Sequence, residues 1–283
     1  MTIKKILVPL DGNQLNQAVL DTALAGARRF QAHLELLYVR PDPRDMLPYA
    51  TLGMSDTMKQ AVVDAAQRSG AEIAGQVRAA FEQFCRDNKL ALIDKPPVSD
   101  KASASWHEET GHPGEALIRR GRLSDLVFVA RPGEERTTAE TLETALLETG
   151  RPVVVVPPKS HKCIASRITL GWNASAEAAR AVSRALPCLS SAEAVTILVS
   201  RKRAVSAEEL VEYLAWHTVK AEVKVFNAGS RSMGETLLEE SRKLKADLLV
   251  IGGYSHTRAR ELLFGGVTSH ILEAADIPVF MTH

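Results

Sequence analysis

Short apolar runs, each followed by a stretch with helical periodicity, recur from one end of the chain to the other. Lys5-Ile6-Leu7-Val8-Pro9-Leu10 leads into the turn Asp11-Gly12, an Ala-rich helical stretch from Ala18 to Phe30, and a second run, Leu34 to Val39. Arg167-Ile168-Thr169-Leu170-Gly171-Trp172 leads in the same way into Asn173-Ala174, a helical stretch from Ala176 to Ala185, and the run Ala194 to Val199. Further on, Gly114-Glu115-Ala116-Leu117 matches Gly234-Glu235-Thr236-Leu237, and Asp125-Leu126-Val127-Phe128-Val129 matches Asp247-Leu248-Leu249-Val250-Ile251. Each half closes on proline and a β-rich run, Pro152 to Val156 and Pro278 to Met281. Near-continuous apolar runs of strand length alternating with helices predict a parallel sheet covered on both faces. The repetition predicts two such α/β domains in tandem, residues 1–158 and 164–283, divided at Pro157-Pro158-Lys159-Ser160-His161-Lys162.

The copies differ in length. Asp11 and Gly114 are 103 positions apart, whereas Asn173 and Gly234 are 61 apart, so the first half carries an insert near 41–88. It opens with a Pro-rich, apolar loop (Pro41, Pro43, Met46, Leu47, Pro48, Tyr49) and continues as a helical stretch from about Ser55 to Asn88. Two readings fit: a lid over the carboxyl ends of the strands, or a helix that covers the sheet or joins a subunit interface.

Composition narrows the function classes. The 283 residues are 45 % hydrophobic and 24 % charged with a net charge of +1, an ordinary globular mix. The first half carries 19 basic and 21 acidic residues and the second 16 and 13, so neither has the balance of a dedicated nucleic-acid binder. Cys85, Cys163 and Cys188 have no CxxC spacing, which argues against a disulfide framework or a cysteine zinc site. Absence of a signal-length or membrane-length apolar run completes the expectation of a cytoplasmic protein with no membrane partner.

In an open α/β sheet, ligands bind at the carboxyl ends of strands where the strand order reverses. In the second half that region includes Gly252-Gly253-Tyr254-Ser255-His256 through Phe264-Gly265-Gly266-Val267-Thr268. Glycines at both ends of a loop that enters a helix permit the close backbone approach of a phosphate cradle. Glycine-rich turns after strands also arise for steric reasons alone. His107, His112 and His283 lack a metal-ligand spacing, no Gly-x-Ser-x-Gly elbow occurs, and Asp11 as a general base has no paired acid or nucleophile. No catalytic or metal-ligating residue is assigned.

With these motifs in view, the chain resembles the universal stress protein family in its tandem two-domain form, over nearly its whole length. ATP-binding members of that family carry Gly-x-x-Gly-x9-Gly-(Ser/Thr) after the fourth strand. Here Gly252 and Gly265 fit, Ser255 stands at the second glycine, and Gly266 stands at the Ser/Thr position, with Thr268 or Ser269 nearby to supply a hydroxyl. The resemblance implies two doubly wound domains, each with a five-stranded parallel sheet of the adenine nucleotide alpha hydrolase-like kind. It implies ATP, with or without Mg2+, as ligand, and a nucleotide site at Gly171, Trp172, Asn173, Val199, Gly252, Gly253, Ser255, His256, Gly265, Gly266, Val267 and Thr268. Trp172 has two readings, stacking on a base or packing against a helix.

The first half keeps Asp11 and Val39 but exits its fourth strand through Ala130-Arg131-Pro132-Gly133-Glu134-Glu135, without a downstream glycine pair. Its phosphate loop reads as degenerate. Family members pair through the last strand, which implies an intrachain pseudo-dimer and is compatible with a further homodimer. The expected function is a stress-response protein that binds adenine nucleotide and acts through ligand-dependent conformation or partner binding. The alternatives are a nucleotide-free interaction protein and a slow ATP hydrolase.

Overall fold

The computed structural model describes all residues except 1, 11, 13, 15, 47–53, 96–100, 134–135 and 254–265. The first half contains β1 (Lys5–Pro9), α1 (Gln17–Phe30), β2 (His33–Arg40), α2 (Asp56–Asp87), β3 (Ala91–Leu92), β4 (Ser103–Thr110), α3 (Pro113–Gly121), β5 (Leu126–Ala130), α4 (Arg136–Glu148) and β6 (Val153–Val156). The second contains β7 (Arg167–Trp172), α5 (Ala176–Leu189), β8 (Ala194–Ser200), α6 (Ala204–Trp216), β9 (Glu222–Phe226), α7 (Met233–Lys243), β10 (Leu248–Gly252), α8 (Gly266–Ala274) and β11 (Val279–Thr282).

The strands of the two halves join through their last strands into one sheet of eleven in the order β3-β4-β2-β1-β5-β6-β11-β10-β7-β8-β9. The eleventh strand is β3, a two-residue parallel addition beside β4 that the hydrophobic pattern does not reveal. All neighbours pair in parallel except β6 and β11, which run antiparallel with Val154 opposite Phe280. That junction joins the two copies through their last strands. It leaves β6 and β11 without a free edge, so the intrachain pseudo-dimer is present in the fold.

Helices cover both faces, and each core layer runs across the junction. Ile6, Leu36, Phe81, Phe128, Val154, Phe280, Val250, Ile197 and Leu210 share one layer, beneath α1, α2, α5 and α6. Leu7, Leu37, Leu142, Val155, Met281, Leu249, Leu198 and Ile271 share the other, beneath α3, α4, α7 and α8. Successive strand residues alternate between the layers because side chains on a pleated strand alternate faces.

The insert is mainly α2, whose N-cap is Ser55, its hydroxyl accepting from the Met58 N–H. Its buried residues are Val63, Ala74, Val77, Phe81, Phe84 and Cys85, concentrated in its C-terminal half. Phe81 and Phe84 are ring neighbours, and Phe81 also meets Trp106 of β4. This half of α2 is the crossover helix that covers β2 and β4, the place α6 holds over β8 and β9. Of the two readings of the insert, covering the sheet describes the C-terminal half of α2; the loop residues 47–53 lie outside the described residues.

Among the described residues, no helix is long and apolar enough to cross a membrane.

Candidate functional site

Strand order reverses between β1 and β5 in the first half and between β7 and β10 in the second, the two places where a doubly wound sheet opens a crevice. Both crevices exist.

In the second half the chain leaves β7 at Gly171 and Trp172 and enters α5 through an Asx turn. Asn173 Oδ1 accepts from the Ser175 N–H (3.0 Å), and Ser175 Oγ caps the helix by accepting from Ala178 N–H (3.2 Å). Small polar residues are favoured here because they satisfy amides that a helix start leaves without partners. At the start of α7, Ser232 Oγ accepts from Glu235 N–H (3.1 Å). Two close approaches set the geometry. A Cβ on Gly252 would lie 2.5 Å from the carbonyl carbon of Glu177, so β10 can abut the first turn of α5 only with glycine there. A Cβ on Gly234 would lie 2.8 Å from the carbonyl oxygen of Val267, so the starts of α7 and α8 also meet closely.

These elements enclose a cleft of about 180 Å³. Gly171, Trp172, Asn173, Gly252, Val267 and Thr268, all expected from the sequence, line it. Ser175, Leu198, Ser200, Phe226, Met233, Leu237 and Ile251 line it too, and the sequence did not mark them. Alternation along β8 finds two of these, since Leu198 and Ser200 share a face. Val199 lies between them with its side chain fully buried in the opposite layer, so only its backbone faces this end of the site. The indole N–H of Trp172 donates to the Ser206 carbonyl (3.0 Å) and hydroxyl (3.2 Å) on α6, so the ring is held against that helix while forming a wall of the cleft. Gly253 donates its N–H to the Thr282 carbonyl (2.9 Å), which ties the exit of β10 to β11.

Of the two residues considered as hydroxyl donors, Ser269 bonds Glu273 on its own helix (2.8 Å), whereas Thr268 faces the cleft. Gly266 opens α8, and a Cβ added there would meet no described residue within 4 Å. Ser255, His256 and Gly265 lie outside the described residues.

No ionisable side chain lines the described cleft. Its polarity comes from the starts of α5, α7 and α8 and from the Ser175, Ser200 and Thr268 hydroxyls. Each helix start carries roughly half a positive charge, so three together favour an anion or a dense array of acceptors. At about 180 Å³ the cleft is smaller than the ~300–1,000 Å³ of most ligand pockets. Its apolar floor of Leu198, Leu237 and Ile251 suits a flat base.

The first-half crevice is larger, about 410 Å³, and differs in chemistry. Pro9, Leu10, Gly12, Leu37 and Val39 line one side; Thr137, Glu140, Thr141 and Thr144 of α4 line the other. A carboxylate, Glu140, thus lines this crevice, whereas none does so among the described residues of its second-half counterpart. Asp11, Glu134 and Glu135 lie outside the described residues. Among the described residues, no three His, Cys, Asp or Glu side chains come together as a metal site.

The sequence model described as "Universal stress protein family" matches residues 2–157 and 165–283. Among solved structures, a universal stress protein from Archaeoglobus fulgidus DSM 4304 is similar with a TM-score of 0.67 at 15 % identity, over 98 % of this chain and 97 % of that one. A putative universal stress protein from Pseudomonas aeruginosa UCBPP-PA14 is similar with a TM-score of 0.58 at 15 % identity, over 99 % and 93 % of the two chains. A functionally unknown protein from Pseudomonas aeruginosa PAO1 gives 0.58 at 14 % identity, over 99 % and 92 %. At such identities the structural likeness shows the fold alone. No curated protein sequence matches the chain.

Proposed function

Because the chain belongs to the universal stress protein family, we propose that it is a stress-response protein that binds an adenine nucleotide in its second half. The observation that carries this reading is the convergence of three helix starts on a cleft that no carboxylate lines among the described residues. The base lies on Leu198, Leu237 and Ile251 beside the Trp172 wall, and Asn173 and Ser200 face the sugar. The phosphates fall to the start of α8. Backbone amides and hydroxyls hold the anion there, which matches a chain of net charge +1.

With no ionisable group lining the described cleft to move a proton, the reading is of binding, not of a dedicated hydrolase. Nucleotide then acts by differential affinity: the conformation in which the start of α8 closes on phosphate gains population, and a partner protein reads that state. One observation favours a nucleotide-free interaction protein instead. Packing against α5 already accounts for Gly252, so that glycine by itself is no sign of a phosphate cradle.

Calorimetric titration with ATP and Mg2+, together with mass analysis of small molecules released from freshly purified protein, decides between the two. Saturable heat, or co-purifying adenine nucleotide, supports the proposal. No nucleotide and no heat at millimolar ATP would leave the interaction protein as the better reading.

A further inference from the structure

A cleft larger than either crevice lies elsewhere among the described residues. It occupies about 580 Å³ at the amino end of the first-half sheet, on the face shared with α3 and α4. Its floor follows from the strand register. Lys5, His33 and Ser103 are aligned across β1, β2 and β4, and Leu7, Glu35 and Ser105 form the next row. The floor is polar: Ser105 is partly exposed and lines the cleft, while Ser103 and Glu35 are buried.

Glu35 is 4 % exposed and held from two sides, by a two-pronged pair of bonds from Arg120 (2.9 and 2.6 Å) and by Lys5 at 3.0 Å. One anion thus meets two cations, and the surplus charge faces the cleft. His33 is fixed between the Ser103 and Ser105 hydroxyls at 2.9 and 2.8 Å. Lys4, Lys95 and Lys101 stand around the opening. The described lining therefore has five lysine and arginine side chains against two carboxylates, Glu35 and Asp94.

The second copy shows that the fold does not require this arrangement. Arg120 lies six positions beyond Gly114, and Glu240 lies six beyond the matching Gly234. The same helical position therefore carries a cation in one copy and an anion in the other, where Glu240 pairs with Lys224 at 2.7 Å and with Lys243 at 2.8 Å. Two domains of one fold have opposite charge at this position.

We propose that this cleft binds a compact polyanion, a small molecule carrying phosphate or several carboxylates. Lys95 and Lys101 meet the charge at the rim, while the Lys5–Glu35–Arg120 cluster and His33 form a rigid floor with a positive surplus. The volume lies within the usual range for small-molecule pockets, and lysine acts on such anions as a point charge that needs no fixed geometry. The site is separate from the second-half crevice and does not depend on nucleotide binding there.

The test is calorimetric titration of the full-length protein at low ionic strength with sodium pyrophosphate and, separately, with citrate. One saturable event per chain is expected with at least one probe, and the probe that binds more tightly identifies the anionic group recognised. The Lys95→Glu/Lys101→Glu double variant should weaken that event about tenfold or more, the scale of one or two near-surface charge contacts. Lys202→Glu, which reverses an exposed charge in the other half, should leave it unchanged. Circular dichroism would confirm that the variants, all at surface lysines, keep the fold. No saturation with either probe overturns the proposal. So does binding insensitive to the double variant, as pyrophosphate held in the second-half crevice would be. An equal loss from Lys202→Glu would also overturn it, because it would indicate general charge attraction only.

Discussion

A side chain added at Gly252 would run into the backbone of Glu177 and Ala178 at 2.5 and 2.6 Å, atoms that cannot move without shifting the start of α5. Gly252→Ala should therefore destabilise the protein by about 1–3 kcal/mol, the usual cost of overpacking, as read by denaturant unfolding, whether or not nucleotide is present. Gly266 is the opposite case: a Cβ added at the start of α8 would meet nothing among the described residues. If the second half binds ATP as proposed, Gly266→Ser, which supplies the hydroxyl expected at this motif position, should tighten that binding about fivefold, the worth of one modest hydrogen bond, in the same calorimetric titration. Glu35 gives a prediction with pH. Burial acts to raise its carboxyl pKa, but the bonds from Arg120 and Lys5 outweigh that and hold it below the ordinary value. A carboxylate depressed in the folded state stabilises above its unfolded pKa, and that contribution fades as pH falls through the folded value. Arg120→Met should cost about 1.5–3 kcal/mol at neutral pH, and its deficit relative to the parent should shrink on acidification through the carboxylate range. A deficit that stays constant with pH would show that Arg120 contributes packing alone.

At the scale of elements, α2 has two unlike ends. Between Asp56 and Gly70 only Val63 is buried, whereas Ala74, Val77, Phe81, Phe84 and Cys85 lie against the sheet. Local opening costs little where few apolar contacts must break. Hydrogen exchange should therefore be fast in the first four turns of α2 and slow from Ala74 onward; uniform slow exchange along the helix would point to a further packing surface for its first half. Much of this element was legible in advance. Ser55 is a natural N-cap, and the apolar spacing of Val77, Phe81 and Phe84 is that of a helix face. What the spacing could not tell is which surface that face meets. Lid and sheet cover have the same periodicity, and for the C-terminal half of α2 its place in the core and the contact with Trp106 of β4 identify sheet cover. The site elements divide similarly. Gly171, Asn173 and Thr268 were readable from repeat and motif, whereas Phe226, Met233 and Leu237 look like any other core residues until the fold brings them to one crevice.

For the whole molecule, the antiparallel β6–β11 pair is the junction on which continuity of both core layers depends. Val154 and Phe280 face each other there, 1 % and 0 % exposed. Val154→Asp places a carboxylate in that seam without a partner and should uncouple the halves. Calorimetric unfolding should then separate into two transitions, and limited proteolysis should cut the connection between residues 157 and 164. A single unchanged transition would mean that other contacts hold the copies together. Among those are Arg29 donating to the Ser191 carbonyl and Arg131 donating to the Ala275 carbonyl.

By itself the sequence determined the repeat, the α/β class, the order of the principal elements and the glycines around the second-half crevice. All of these follow from local periodicity and from residue types that a backbone conformation or helix start requires. The tertiary structure decided what depends on residues far apart in the chain. It merged two sheets into one, set Val199 in the opposite layer from Leu198, and bound the Trp172 indole to α6. It gave Gly252 a packing reason beside the proposed functional one, and it gathered Lys5, Glu35, Lys95, Lys101 and Arg120 around one cleft. The physical reason is the same in each case. Periodicity fixes the face on which a side chain lies, but only the completed packing fixes what that face meets, and charge and shape at a site are sums over such meetings.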